Sequence, residues 1–232
     1  MSQKLTKTKK VLKNALPTAI LRERRTKAVI SKFADDVGLV YFGYTNQRSD
    51  EHRLLRGLTV SHSHVDHHYS VGSFRGYDVA LVVRREKLLA SNQRDYRYWT
   101  IVTFDLTSSY DVPHLFMTFK SRQELLEAKY VSLSELPMIH SEKATKFAQE
   151  WRLYANIGQA LEVQRLLNDS MLDGISNHFD HLAIEVAENT VYIYSALKHP
   201  TRSQLERQVS NGLWFTRHLD AAADTAKRQL EQ

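Results

Sequence analysis

Four residues within six positions, His62-x-His64-x-Asp66-His67, carry side chains that readily ligate a metal. Imidazole nitrogens and carboxylate oxygens are common donors to Zn2+. A zinc-bound water, its pKa lowered to about 7, attacks esters, amides and phosphodiesters. The chemistry such a cluster offers is hydrolysis, with Zn2+ as cofactor; otherwise no cofactor is expected. Five of the eleven histidines (His52, His62, His64, His67 and His68) crowd this part of the chain, so close imidazole spacing is less surprising here. No Gly-x-Ser-x-Gly elbow, glycine-rich phosphate loop or His-Glu-x-x-His helix is present.

The elements that must position these residues compete with that chemistry. His68–Phe74 and Tyr77–Arg84 read as two strands joined across Arg75-Gly76, where glycine supplies the positive φ of a tight turn. Neighbouring residues on a strand point to opposite faces, which predicts that His67 and His68 diverge. Backbone pairing is expected to take precedence, leaving a histidine-rich loop that leads into a strand. The apolar run Val79–Val83 predicts a central strand, followed by strands at Arg97–Asp105 and Val112–Lys120. Asp78, Asp105, Arg84 and Arg85 lie on or beside these strands, and one pair is expected to be buried as a structural ion pair.

The metal pattern resembles the signature of the metallo-β-lactamase superfamily. That resemblance implies His62 and His64 on a first metal, with Asp66 and His67 on a second. Asp36-Val37-Gly38 also resembles an Asp-x-Gly piece found upstream in that family. The surroundings depart from the family, whose signature opens a helix, whereas Tyr69–Phe74 continues as a strand. No histidine downstream follows a glycine, so the match is expected to be coincidental. A second resemblance rests on His68-Tyr69-Ser-Val-Gly72, Gly76-Tyr77-Asp78-Val79, Trp99…Asp105-Leu106 and Pro113-His114-Leu-Phe116. These resemble an uncharacterised bacterial domain-of-unknown-function family, and imply no activity.

Charge divides the chain in two. Residues 1–27 hold nine Lys/Arg against one acid, Glu23. Removing these from the totals of 32 bases and 26 acids leaves 23 and 25, so residues 28–232 sum to about −2. The basicity belongs to an N-terminal arm, which suits a local contact with an anionic membrane surface or nucleic acid through Lys4, Lys7, Lys9, Lys10, Lys13, Arg22, Arg24 and Arg25. Apolar residues recur helically in the arm, and Pro17 predicts a break. Tyr96, Tyr98 and Trp99 offer a stacking platform beside Arg94 and Arg97, although ordinary half-buried strand aromatics suit the alternation better.

Cysteine is absent, which excludes disulfides and thiolate chemistry. The sequence has no run long enough for a membrane helix and no signal-peptide pattern, so a cytoplasmic protein, possible at the membrane periphery, is expected.

A helix is expected over 27–37, ended by Gly38, with a strand over 39–44 and a polar loop over 45–53. Ser121-x-x-Glu124 reads as a capping box opening a short helix. Residues 142–155 fit both helix and strand. Beyond them come a long helix over 163–175, strands about the Glu188-Asn189 turn, and a last helix from Ser203 whose box is Ser203-x-x-Glu206. The fold class is α+β: an antiparallel β-meander packed with helices, followed by an α-β-β-α unit. Residues 28–232 form one domain with sub-units at 28–138 and 141–232. The expected function is a non-enzymatic binding or regulatory domain, with the zinc hydrolase as its alternative.

Overall fold

The reversal at Arg75-Gly76 is a two-residue turn with φ of 51° and 90°, the left-handed pair that matches strand twist. It joins β2 (His64–Phe74) to β3 (Tyr77–Lys87), and Phe74 faces Tyr77 across the turn. The expected hairpin is present. A computed structural model describes residues 2–44, 64–87, 96–121, 133–137 and 145–231, and the remaining elements are α1 (Ser2–Val37), β1 (Val40–Tyr44), β4 (Tyr96–Asp105), β5 (Leu115–Phe119), β6 (Ser134–Glu135), α2 (Thr145–Glu150), β7 (Trp151–Ala155), α3 (Ala160–Leu166), α4 (Asp169–His178), β8 (Leu182–Ala187), β9 (Thr190–Ser195) and α5 (Arg202–Leu230).

The nine strands form one antiparallel sheet in the order β1-β2-β3-β4-β9-β8-β5-β7-β6. An α+β fold is therefore correct, but the meander ends at β4. The strand read over 112–120 does not pair with β4. The hairpin β8–β9 enters between them, so β4 pairs β9 and β5 pairs β8. The segments read as sub-units 28–138 and 141–232 thus contribute strands to one sheet.

Alternation along each strand builds two cores. Leu81, Val102, Phe104, Ile184 and Ile193 face the helices, joined by Ile30 and Phe33 of α1, Ile175 of α4, and Leu213 and Phe215 of α5. Burying each such side chain is worth roughly 1.5–3 kcal/mol. Tyr69, Val82, Trp99, Ile101, Phe116 and Tyr194 form the core of the opposite face. Two close approaches fix the helix layer. Gly212 of α5 lets Phe104 approach, since a Cβ there would lie 2.4 Å from its ring. Gln208 donates to the carbonyls of Thr100 at 2.9 Å and Ile193 at 2.6 Å, tying α5 to β4 and β9.

Several local expectations change. α1 runs through Pro17 without the predicted break, and the boundary read at 27/28 falls inside it. The long helix over 163–175 is two helices, because Asn168 caps α4 by accepting from the Met171 amide. The last helix starts earlier than expected, with Thr201 and Gln204 as the capping box in place of Ser203 and Glu206. Of the span 142–155, the described residues 145–155 form both elements, with α2 leading into β7. Glu188-Asn189 turns as expected, with φ of 52° and 58°. The loop over 45–53 and the helix after Ser121 lie outside the described residues.

Candidate functional site

Register decides the fate of the predicted ligands. Asp66 lies opposite Arg84, and both point to the face away from the helices. The guanidinium grips the carboxylate with Nε to Oδ1 and Nη2 to Oδ2, each at 2.8 Å, and both side chains are fully buried. This bidentate fork is the geometry that best compensates two buried charges. A buried ion pair on the central strands was expected, but the partner of Arg84 is Asp66 and not Asp78 or Asp105. His64 lies on the same face, its Nε2 3.8 Å from Asp66 Oδ2. His67 lies on the opposite face, and His62 is outside the described residues. Among the described residues no three His, Cys, Asp or Glu side chains gather as a metal site.

The same face carries further buried polar groups. Trp99 Nε1 donates to Glu86 Oε2 at 3.2 Å. Glu185, fully buried, accepts from Tyr194 Oη at 2.5 Å and from His114 Nε2 at 2.8 Å. Burial and the Glu185 charge push the Tyr194 hydroxyl far above its usual range, so it stays a donor at neutral pH. The row interlocks side chains that hold one another.

The helix face holds a different arrangement. His68 has φ of 58° and sits in a β-bulge between the His67 and Ser70 pairings. A bulge re-aims side chains, and the expected divergence of His67 and His68 fails for that reason. Both line one cavity of about 190 Å3, with Glu23, Val83, Arg85, Tyr98 and Lys198. Glu23 comes from α1, Lys198 from the segment after β9, and the others from β2, β3 and β4.

Within that cavity His68 Nε2 donates to Glu23 Oε1 at 3.1 Å, which leaves Nδ1 to accept from the Tyr41 hydroxyl at 2.8 Å. Burial lowers the pKa of His68 against the opposing pull of Glu23. Burial, reinforced by Arg85, also lowers that of His67. Both imidazoles are therefore neutral near pH 7. The Arg85 guanidinium lies over the Tyr96 ring at 4.8 Å, and Lys198 Nζ over the Tyr98 ring at 4.5 Å. The Tyr96–Trp99 stacking platform does not assemble: Trp99 is buried on the far face, and cations lie against both tyrosines.

Beside this cavity, a wider hollow of about 600 Å3 is lined by Arg22, Arg25, Thr26, Val29, His199, Pro200, Thr201 and Arg202. Thr26 Oγ1 and His199 Nδ1 are 2.7 Å apart at its wall, and Arg202 bonds Asp36 at 2.6 Å and Glu206 at 2.7 Å. The bulge at His68 and the approach of Lys198 are the features that sequence reading missed. The strand pattern carries no signal for the first, and the second needs the β4–β9 pairing.

No protein-family model matches the chain, and no curated protein matches it. Among solved structures, the mycobacterial trehalose monomycolate transport factor A, TtfA, is similar with a TM-score of 0.58 and 12% identity, over 86% of this chain and 94% of that one. The likeness extends to the fold.

Proposed function

We propose that this chain is a non-enzymatic binding or regulatory domain that docks on an anionic membrane surface through α1. The observation that carries this reading is the exposure of Ile20 and Leu21, at 51% and 62%, on the turn of α1 that also bears Arg22, Arg24 and Arg25. Apolar residues interleaved with arginines on an exposed helix suit the headgroup region of a bilayer, where acyl chains take the first and phosphates the second. Further along, Ile30, Phe33 and Ala34 of the same helix are buried in the core. The basic arm and the core-packed turns thereby belong to one continuous helix. No described helix is long and apolar enough to cross a membrane. A fold shared with a protein named a transport factor accords with binding in place of catalysis.

Co-sedimentation with vesicles tests this. The full chain is expected to bind phosphatidylglycerol vesicles, to bind phosphatidylcholine vesicles far less, and to lose binding as salt screens the charges. Replacing Ile20 and Leu21 by serine is expected to weaken binding by about tenfold or more, since each loses apolar contact. Equal binding to both vesicle types, or binding to oligonucleotides alone, would overturn the proposal.

A further inference from the structure

We infer that the cavity between α1 and strands β2–β4 is an oxyanion site that takes a phosphate monoester group, held by Arg85 and Lys198 with His67 as an additional donor. This goes beyond the surface contact proposed above and does not rest on it, because its residues belong to the folded body.

Two cations line this small cavity, and among the described residues neither meets an acid. Arg85 contacts the Tyr96 ring and Lys198 the Tyr98 ring. Arg85 Nε is shut off from solvent with no hydrogen-bond acceptor among the described residues. A buried guanidinium donor is seldom left in that state, since a desolvated polar group without a partner is costly. The one acid of the cavity, Glu23, is half exposed at 54% and is bonded to His68 at 3.1 Å. His67 adds an imidazole that both Arg85 and Lys198 approach closely enough to lower its proton affinity.

The chemistry that fits is a compact dianion. A phosphate monoester carries about −1.5 to −2 at pH 7, which matches two cations where a carboxylate brings one charge. Arg85 supplies a planar fork from the half-buried floor, and the exposed Lys198 supplies a point charge at the mouth. The cavity volume of about 190 Å3 exceeds what a single water needs, so a ligand larger than water has room. The wider hollow is lined by Arg22 and His199, the chain neighbours of Glu23 and Lys198.

Isothermal titration of the full chain with inorganic phosphate, sn-glycerol 3-phosphate and acetate tests the site. Saturable phosphate binding is expected, about tenfold or more weaker in R85Q and in K198Q. Lys198 is exposed, so K198Q keeps the readout if R85Q folds poorly. The variant with Ile20 and Leu21 changed to serine is expected to bind phosphate as the parent does, which separates this site from vesicle docking. Glycerol phosphate is expected to bind at least as tightly as phosphate, and its exclusion would overturn the monoester assignment. Absence of saturable binding, affinity within twofold of the parent in K198Q, or acetate binding as tightly as phosphate would each overturn the inference.

Discussion

Arg84 and Asp66 face each other across β3 and β2 as a two-pronged pair, both withdrawn from solvent at 0% exposure. Asp66→Ala deprives a buried guanidinium of its bidentate carboxylate. The expected cost is about 3 kcal/mol or more, because the charge stays buried after its counter-charge is gone. The double change Asp66→Leu with Arg84→Met removes both charges and is expected to cost less than either single change. Urea unfolding of Asp66→Ala, of Asp66→Leu and Arg84→Met singly, and of the double change checks this. Strict additivity of the two single changes would show that the pair is not coupled.

Gly212 is the point where α5 sits down on β4. A methyl group there would lie 2.4 Å from the Phe104 ring and 3.0 Å from Ile193 Cγ1, and Phe104 is fully buried with no room to yield. Gly212→Ala is therefore expected to destabilise by about 1–3 kcal/mol, despite alanine's better helix propensity. Thermal unfolding should show the loss, and an unchanged Tm would mean that α5 can lift off the sheet at little cost.

Three imidazoles around the cationic cavity, His67, His68 and His199, are held below their ordinary value of 6.5, each chiefly by burial. The charges that act on them are Arg85, Lys198, Lys27 and Arg22 on the positive side, with Glu23 and, through the sheet, Asp66 on the negative. A histidine with a lowered folded pKa takes up its proton more readily when unfolded, so stability rises with pH through that window. It is fully present above 6.5 and is lost as pH falls below it. Tm is expected to drop between pH 7.5 and 5.5, before ordinary carboxylates titrate. Asp105, whose carboxyl burial raises above 3.8, works in the opposite sense at lower pH. A flat Tm across that window would contradict the placement of these rings.

With Asp66 taken by Arg84, and His64 and His67 on opposite faces of β2, the chain is expected to carry no stoichiometric zinc. Purified without histidine tags or chelators, it should show substoichiometric metal by elemental analysis. EDTA should leave its Tm unchanged. A stoichiometric zinc whose removal lowers Tm would restore the hydrolytic reading of His62, His64, Asp66 and His67.

The sequence by itself determined what depends on near neighbours. The apolar run Val79–Val83 marked β3 as a central strand, Gly76 and Asn189 placed two turns, and the charge count set the basic arm apart from a nearly neutral body. Only the tertiary structure decided which strands adjoin. Val79–Val83, Ile101–Phe104, Leu115–Phe119 and Val191–Tyr194 are all apolar or aromatic enough to pair with one another, and nothing local tells β4 to take β9 over β5. From that choice follow the approach of Lys198 to Tyr98 and the docking of Gln208 on two strands. Asp66 likewise reads as a ligand or a counter-ion according to register alone, and register is set by pairings summed along the whole strand. The His68 bulge belongs to the same class, since one unpaired residue leaves no mark in the pattern yet turns two imidazoles to one cavity.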